Sequence, residues 1–147
     1  MTPLLATSLN PESGLKQAER SAPGGGEQPP KILLVDDHAD TLQILSRLLR
    51  RVGYGVTTAT GVRNALELAA EQRFDLLISD LGLPDGSGLE IMRNAKTLYP
   101  LHGIAISGLG TEEDIRLSLE AGFEEHVVKP ISFEALRETI QRVVWKR

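Results

Sequence analysis

The chain has 147 residues, a formal net charge of −4 and no cysteine. This length fits one domain with a core of ordinary size. Without cysteine it can form neither disulfides nor a thiolate metal site, and nothing argues for an oxidising compartment. An acidic chain lacks the basic surface typical of non-specific nucleic-acid binding, and no stretch approaches a membrane span. We therefore expect a cytoplasmic protein with no nucleic-acid partner and no insertion into a membrane.

The first 30 residues differ in composition from the rest of the chain. They are rich in proline, contain the run Gly24-Gly-Gly26 and hold too few apolar residues to bury a core. Their one apolar piece, at residues 4–6, is too short for a signal peptide. We expect residues 1–30 to form a flexible Pro/Gly-rich linker or tail, and residues 31–147 to form the domain. A tether to an upstream domain and a tail without function fit this composition equally well.

From Lys31 onward, short apolar runs alternate with segments of helical periodicity. Runs of this kind are typical of parallel strands buried on both faces. Five strands are predicted, at Ile32–Val35, Tyr54–Ala59, Phe74–Ser79, His102–Ser107 and Glu124–Lys129.

Helix signals follow each of these strands. Ser87 with Glu90 forms a capping box for a helix that we expect to reach about Leu98. Thr111 and Ser132 are predicted to cap the last two helices. The apolar faces of the first, second, third and fifth helices begin at Leu42, Val62, Leu89 and Phe133, and the fourth helix follows Thr111.

Five strands alternating with five helices predict an α/β fold, a doubly wound parallel sheet covered on both faces. The expected strand order is 2-1-3-4-5, the flavodoxin-like (βα)5 arrangement. In this order the carboxyl ends of strands one, three, four and five meet around one crevice. The polar residues delivered there are Asp36, Asp37, Asp80, Ser107 and Lys129.

The acidic residues of this crevice predict a cation. Carboxylates crowded together repel each other unless one is protonated or a cation lies among them. Hard oxygen ligands favour Mg²⁺, or Mn²⁺ in its place. A carboxylate can also act as a nucleophile and form an aspartyl phosphate. Mg²⁺ and Lys129 would then both offset the charge of an incoming phosphoryl group.

From about Lys31 to Val144 the chain resembles a receiver domain of two-component response regulators. Asp36-Asp37 resembles the acidic pair of that family and Asp80 its phosphoacceptor. Ser107 resembles the Ser/Thr switch position, and Lys129-Pro130 the Lys-Pro pair. Each match is weak alone, but all of them occur at the expected strand ends and in the expected order.

The resemblance implies roles for these residues. Asp80 would accept a phosphoryl group from a phosphohistidine on a histidine kinase or a histidine phosphotransfer protein. Asp37, Asp80 and the backbone carbonyl of Gly82 would bind the metal ion directly, and Asp36 through water. Ser107 and Lys129 would bind the phosphoryl group and switch a protein-binding face. The family also implies a cis peptide between Lys129 and Pro130.

One residue departs from the family pattern, and two others bear on the lifetime of the phosphoryl group. His126 stands where the family usually carries Tyr or Phe as a rotating switch. It is either a polar residue on an edge strand or an altered switch, and in the second case coupling to Asp80 would be pH-sensitive. The resemblance implies that the positions of Gly82 and Leu109 tune the lifetime of the phosphoryl group. Neither side chain can orient an attacking water by a hydrogen bond, so we expect slow loss of the phosphoryl group.

The residues of the crevice argue against two other functions. An aspartate-nucleophile phosphatase of the haloacid-dehalogenase type would need a second Asp where this chain has Gly82. A flavodoxin-like nucleotide-binding module would need backbone donors where Asp36-Asp37 would repel a phosphate. A receiver-like binding module that is never phosphorylated stays possible, and as an isolated domain the chain is not expected to be an enzyme. Since the sequence ends at Arg147, a stand-alone receiver and the C-terminal receiver of a hybrid histidine kinase are both expected contexts.

Three further polar residues are given no part in the predicted site. We expect His38 to be a solvated residue at the start of the first helix. We place His102 at the opposite, amino end of strand four. Asp85 lies in a Pro-Asp-Gly turn, where Asp is favoured because it bonds to its own turn backbone.

Overall fold

The computed structural model describes residues 28–145, so most of the predicted tail lies outside the described residues. Five strands and five helices alternate along the chain, and a short β-ribbon pairs Gly82–Leu83 with Gly86–Ser87. The elements are β1 (Lys31–Val35), α1 (Ala39–Arg51), β2 (Gly55–Ala59), α2 (Val62–Glu71), β3 (Leu76–Asp80), α3 (Gly88–Lys96), β4 (His102–Ser107), α4 (Glu112–Ala121), β5 (Glu125–Val128) and α5 (Phe133–Val144).

The five long strands form one parallel sheet in the order β2-β1-β3-β4-β5. Ile32 of β1 lies opposite Val56 of β2 on one side and Leu76 of β3 on the other. The predicted fold class and strand order are therefore confirmed. Because every strand runs in the same direction, all carboxyl ends lie at one edge of the sheet.

The core lies on both faces of the sheet, with β3 at its centre. All residues of β3 are buried, as its continuous apolar sequence predicts. One apolar cluster packs α2 and α3 against one face, and a second packs α1 and α5 against the other. This double cover fixes the strand ends in place.

The predicted helix starts are confirmed in detail. Ser87 and Glu90 form the complete capping box of α3. The hydroxyl of Thr111 accepts a hydrogen bond from Asp114 N, and that of Ser132 from Ala135 N. These caps satisfy amide groups that have no partner inside the helix.

Several boundaries differ from the prediction. β3 begins at Leu76 rather than Phe74 and continues through Asp80, because Asp80 still pairs with Ile106 of β4. α3 ends at Lys96 rather than near Leu98, where Leu98 N turns back to bond Ala95 O at 3.0 Å.

The last strand and the start of the domain also differ from the prediction. β5 covers residues 125–128 rather than 124–129, because its ladder with β4 joins only these residues. Pro30 is buried and its carbonyl accepts a hydrogen bond from Gly55 N at 3.2 Å. The folded part thus includes one residue that composition alone assigned to the tail. Within residues 28–145, no helix has the length and hydropathy needed to cross a membrane.

Candidate functional site at the carboxyl edge of the sheet

Four strands deliver polar side chains to the carboxyl edge of the sheet. Asp36 directly follows β1, Asp80 ends β3 and Ser107 ends β4, and all of them are buried. Lys129 follows β5 and reaches back over the edge. Asp37 is the most exposed member of the predicted set, with 37% of its side-chain surface accessible.

Lys129 joins the two buried carboxylates. Its Nζ lies 2.7 Å from Asp80 Oδ2 and 3.6 Å from Asp36 Oδ2. Its backbone N–H donates to the carbonyl oxygen of Ser107 at 2.8 Å, so the ends of β4 and β5 are tied together. The peptide bond to Pro130 is cis. The structure therefore brings residues 49 positions apart into direct contact.

The protonation of Lys129 follows from the same contacts. Burial by itself would lower the pKa of the ammonium group. The hydrogen bond to Asp80 and the charges of Asp36 and Asp80 outweigh burial, and the pKa of Lys129 is raised. Lys129 is therefore a permanent positive charge at neutral pH.

Asp36, Asp37 and His38 form a second group beside this ion pair. One ligand atom from each lies within 4.8 Å of the others. Asp36 Oδ1 accepts a hydrogen bond from His38 N at 2.8 Å, and His38 Nδ1 lies 3.1 Å from the same oxygen. His38 Nδ1 is also 3.2 Å from Asp37 Oδ1, while 67% of the imidazole surface stays accessible. His38 is thus solvated, as expected, and also contacts both carboxylates, which its position in the sequence did not reveal.

The loop after β3 holds the other oxygen of Asp80. Gly82 N donates to Asp80 Oδ1 at 3.2 Å, and Gly88 N donates to Leu81 O at 3.0 Å. A β-carbon at Gly88 would collide with the carbonyl oxygen of Asp80 and with Ser79 Oγ. Glycine at this position therefore lets α3 begin directly against the end of β3.

Asp85 bonds to the start of a helix that is distant in sequence. Its carboxylate accepts hydrogen bonds from Val62 N at 2.7 Å and Arg63 N at 3.1 Å, across more than 20 residues of sequence. These two bonds, that from Val62 first, lower the pKa of Asp85. The N-cap residue of α2 is Gly61, which has no side chain, so Asp85 caps α2 in its place. The structural role predicted for Asp85 is therefore confirmed, with the amides of Val62 and Arg63 as its main partners and its own backbone amide as a lesser one.

Ser107 and His126 are in direct contact. Ser107 Oγ lies 2.7 Å from His126 Nε2 and accepts a hydrogen bond from Gly110 N at 3.1 Å. The other imidazole nitrogen, Nδ1, lies 3.2 Å from Ser118 Oγ of α4. His126 is therefore half-buried on the edge strand β5, as expected for a partly exposed polar residue there, and both of its ring nitrogens lie within hydrogen-bonding distance of serine hydroxyls.

A cavity of about 380 Å³ opens beside Asp80 and Ser107. It lies between the start of α3 and the β4–α4 connection, and apolar side chains line it together with Gly82 and Asp114. Leu109 is part of the lining and is 81% exposed. Space for a ligand is thus available next to the carboxylate of Asp80.

A parallel α/β sheet with buried carboxylates and one lysine at its carboxyl edge defines a class of flavodoxin-like domains with an acidic crevice. The chain belongs to the response regulator receiver domain family, whose pattern it matches over residues 32–141. The predicted receiver resemblance is therefore confirmed.

Proteins similar to this chain include response regulators of a bacterium and of a plant. The chain is 34% identical to the response regulator protein PilR of Pseudomonas aeruginosa over 111 residues, which is 75% of this chain and 25% of that protein. It is 30% identical to the two-component response regulator ARR2 of Arabidopsis thaliana over 146 residues, covering 95% of this chain and 22% of that protein. This chain thus spans about a quarter of the length of these relatives.

Solved structures agree with the fold. The chemotaxis protein CheY4 of Vibrio cholerae superposes with a TM-score of 0.75 at 31% identity, over 78% of this chain and 98% of that one. The receiver domain of the sensor histidine kinase PA1611 of Pseudomonas aeruginosa superposes with a TM-score of 0.70 at 27% identity, over 80% of this chain and 99% of that one. That structure contains a magnesium ion in its active-site cleft.

Proposed function

We propose that the chain accepts a phosphoryl group on Asp80 and thereby switches a protein-binding face. The observation that carries this proposal is the placement of Asp80 at the end of β3, with Oδ2 held by Lys129 at 2.7 Å and Oδ1 by Gly82 N at 3.2 Å. A carboxylate fixed in this way has a defined orientation toward the cavity beside it. An oriented nucleophile is the main requirement for phosphoryl transfer.

The transfer step uses one carboxylate oxygen of Asp80. This oxygen forms a bond to the phosphorus atom while the bond between phosphorus and the imidazole nitrogen of the donor breaks. The electron pair of that bond leaves with the donor imidazole, which then takes up a proton. The donor is a phosphohistidine on a histidine kinase or a histidine phosphotransfer protein, and the product is an aspartyl phosphate.

The donor set at the site fits a hard divalent ion, Mg²⁺ or Mn²⁺. Asp36, Asp37 and Asp80 and the backbone carbonyl of Gly82 offer only oxygen ligands, the kind that such ions prefer. Asp36 and Asp37 already have oxygens close together, and the crevice carries more negative than positive charge. A bound ion would neutralise charge on the phosphoryl oxygens during transfer. The magnesium ion in the PA1611 receiver domain supports this assignment.

Lys129 and Ser107 act on the product. The Lys129 ammonium group bonds an oxygen of Asp80 before transfer, and it can donate to a phosphoryl oxygen afterwards without leaving the crevice. The hydroxyl of Ser107, at the neighbouring strand end, can donate to a second phosphoryl oxygen. Movement of Ser107 would draw the β4–α4 connection with it, because Ser107 is bonded to Gly110.

The biological context is also part of this proposal. The domain acts in the cytoplasm, contacts protein partners rather than nucleic acid, and residues 1–30 form a linker. PilR is named a response regulator and PA1611 a sensor histidine kinase, so relatives of this domain occur in both kinds of protein. Either a stand-alone receiver or the receiver of a hybrid kinase is compatible with that range.

A phosphatase activity would require a proton donor that the site does not provide at the expected position. The residue two after Asp80 is Gly82, which has no side chain, and nothing lies within 4 Å of where its β-carbon would be. The acid that a haloacid-dehalogenase phosphatase uses is therefore missing at this position. We assign the domain no turnover of a separate substrate.

Incubation with Mg²⁺ and acetyl phosphate tests the proposal. Intact-mass measurement should find one phosphoryl adduct that is stable in acid and lost in base. Asp80→Asn is the matched variant, because it keeps the size and shape of the side chain and removes the nucleophile. Absence of the adduct in the wild-type chain, or an equal adduct in Asp80→Asn, would contradict the assignment.

A further inference from the structure

His126 connects the end of β4 to α4 through both of its ring nitrogens. Nε2 lies 2.7 Å from Ser107 Oγ, and Nδ1 lies 3.2 Å from Ser118 Oγ. Ser107 is 6% exposed and Ser118 is fully buried. The imidazole therefore links the residue that we assign to phosphoryl binding with the helix that follows it.

The hydrogen-bond partners fix which nitrogen carries the proton. The hydroxyl hydrogen of Ser118 is donated to Ile115 O at 2.8 Å, so Ser118 Oγ can only accept from His126. Nδ1 of a neutral ring must then carry the hydrogen. Nε2 is left as an acceptor, and the partner that can donate to it is the hydroxyl of Ser107.

This arrangement occupies the only hydrogen of Ser107. Its oxygen accepts from Gly110 N at 3.1 Å, and its hydrogen goes to His126 Nε2. While the ring is neutral, Ser107 cannot donate to a phosphoryl oxygen without breaking the bond to His126. A broken bond would leave Nε2 without a partner in a half-buried position.

Protonation of the ring reverses the direction of this bond. A proton taken up from solvent at Nε2 makes both nitrogens donors. Ser107 Oγ has two lone pairs, which can accept from Gly110 N and from Nε2 at the same time. The hydroxyl hydrogen of Ser107 is then free. The contact between Nδ1 and Ser118 needs no change.

Burial lowers the pKa of His126, and the negative charge of Asp114 on α4 opposes this shift without cancelling it. Glu125 pairs with Arg142 of α5 at 3.3 Å, and Lys129, further along the chain, pairs with Asp80. On the β4 side the direct partner of the ring is the neutral Ser107.

We propose that His126 is a proton-controlled positioning residue that decides whether the Ser107 hydroxyl can bind a phosphoryl oxygen on Asp80. This inference rests on the proposed phosphoacceptor function. Its direction is defined: acid conditions free the hydroxyl and stabilise the phosphorylated or phosphoryl-like state. At neutral and basic pH the hydroxyl of Ser107 stays hydrogen-bonded to His126, and this opposes the phosphorylated state.

Binding of beryllofluoride with saturating Mg²⁺, measured between pH 8 and pH 5, tests the inference in the wild-type chain and in His126→Phe. Phenylalanine fills the position but accepts no hydrogen bond, so Ser107 is free at every pH. We expect His126→Phe to bind about tenfold more tightly than wild type at pH 8, the scale of one hydrogen bond to a charged group. The two affinities should converge toward pH 5. His102→Gln, which changes a histidine at the other end of the sheet, should keep the wild-type pH profile.

NMR of the imidazole nitrogens in the unmodified wild-type chain provides a measurement that needs no variant. At pH 8 the ring of His126 should be in the Nδ1–H form, with Nε2 unprotonated. An Nε2–H form at pH 8 would overturn the inference, because Ser107 would already be free.

The outcomes separate this inference from the function on which it rests. Failure of beryllofluoride to bind any variant at any pH would contradict the phosphoacceptor function itself. Binding to all variants, with the same ratio between wild type and His126→Phe at pH 8 and pH 5, would leave that function intact and overturn the role of His126.

Discussion

Both ends of the sheet carry pairs of acidic and basic side chains, but the pairs differ in their exposure to water. At the amino end, His102 Nδ1 lies 2.8 Å from Glu124 Oε1, and these side chains are 44% and 38% exposed. At the carboxyl end, the Asp36 and Asp80 side chains are 3% and 9% exposed and share the ammonium group of Lys129. The amino-end pair is screened by water and joins only neighbouring segments. The carboxyl end holds two buried carboxylates close together, an arrangement that the stability of the fold does not require.

The largest expected effect comes from Gly88→Ala at the carboxyl end. The added β-carbon would collide with the carbonyl oxygen of Asp80 and with Ser79 Oγ, so β3 or α3 must shift. We expect a loss of about 1–3 kcal/mol in the free energy of unfolding, measured by urea denaturation. The rate at which Asp80 is phosphorylated should also fall. Gly82→Ala is the matched control in the same loop, since nothing lies within 4 Å of its β-carbon. Equal losses in both variants would contradict this reading of the loop.

Lys129→Met should raise the affinity for Mg²⁺ and lower the rate of phosphorylation. The ammonium group lies 2.7 Å and 3.6 Å from oxygens of two proposed metal ligands, so it competes with a divalent cation. Methionine fills similar space without charge, and we expect Mg²⁺ to bind about tenfold more tightly, the effect of roughly 1.4 kcal/mol. Phosphorylation by acetyl phosphate should nevertheless slow down, because the phosphoryl oxygens lose a donor. Isothermal titration with Mg²⁺ is the check, and weaker binding by Lys129→Met would count against the shared site.

The phosphoryl group should be lost slowly from the wild-type chain. Gly82 and the exposed Leu109 offer no side-chain hydrogen bond to an attacking water. Gly82→Asn adds such a group where space is open, and we expect hydrolysis to become several-fold faster. The decay of the adduct, followed by intact mass, gives both rates. Loss of phosphate from wild type within minutes, with Mg²⁺ present, would refute the expectation, and Gly82→Ala controls for the added bulk.

The smallest effect is expected at the amino end. His102→Gln removes an exposed ion pair, and such pairs contribute about 0–1 kcal/mol. The change in the free energy of unfolding should therefore be small, and phosphorylation of Asp80 should match wild type. A loss as large as that of Gly88→Ala would mean that the exposed ion pair at the amino end contributes as much to stability as the close packing at the carboxyl end.

The sequence predicts the elements that depend on local patterns. Apolar runs such as that of β3 and caps such as Ser87 are found from neighbouring residues, and the strand order then brings Asp36, Asp80 and Lys129 to one edge. Contacts that depend on packing between distant segments were not predicted. Asp85 caps a helix that begins 23 residues earlier, and no periodicity signals that partner. The bond between His126 and Ser118 likewise depends on how α4 lies against β5.

Transfer from phosphoramidate, a small donor with a phosphorus–nitrogen bond, tests directly whether Asp80 accepts a phosphoryl group from nitrogen. The chain would be incubated with phosphoramidate and Mg²⁺, and the labelled residue located by tandem mass spectrometry after proteolysis. We expect one modified peptide, with the phosphoryl group on Asp80 and no label when Mg²⁺ is removed by a chelator. Label on His38 instead, or no transfer under conditions in which the chain is folded, would contradict it.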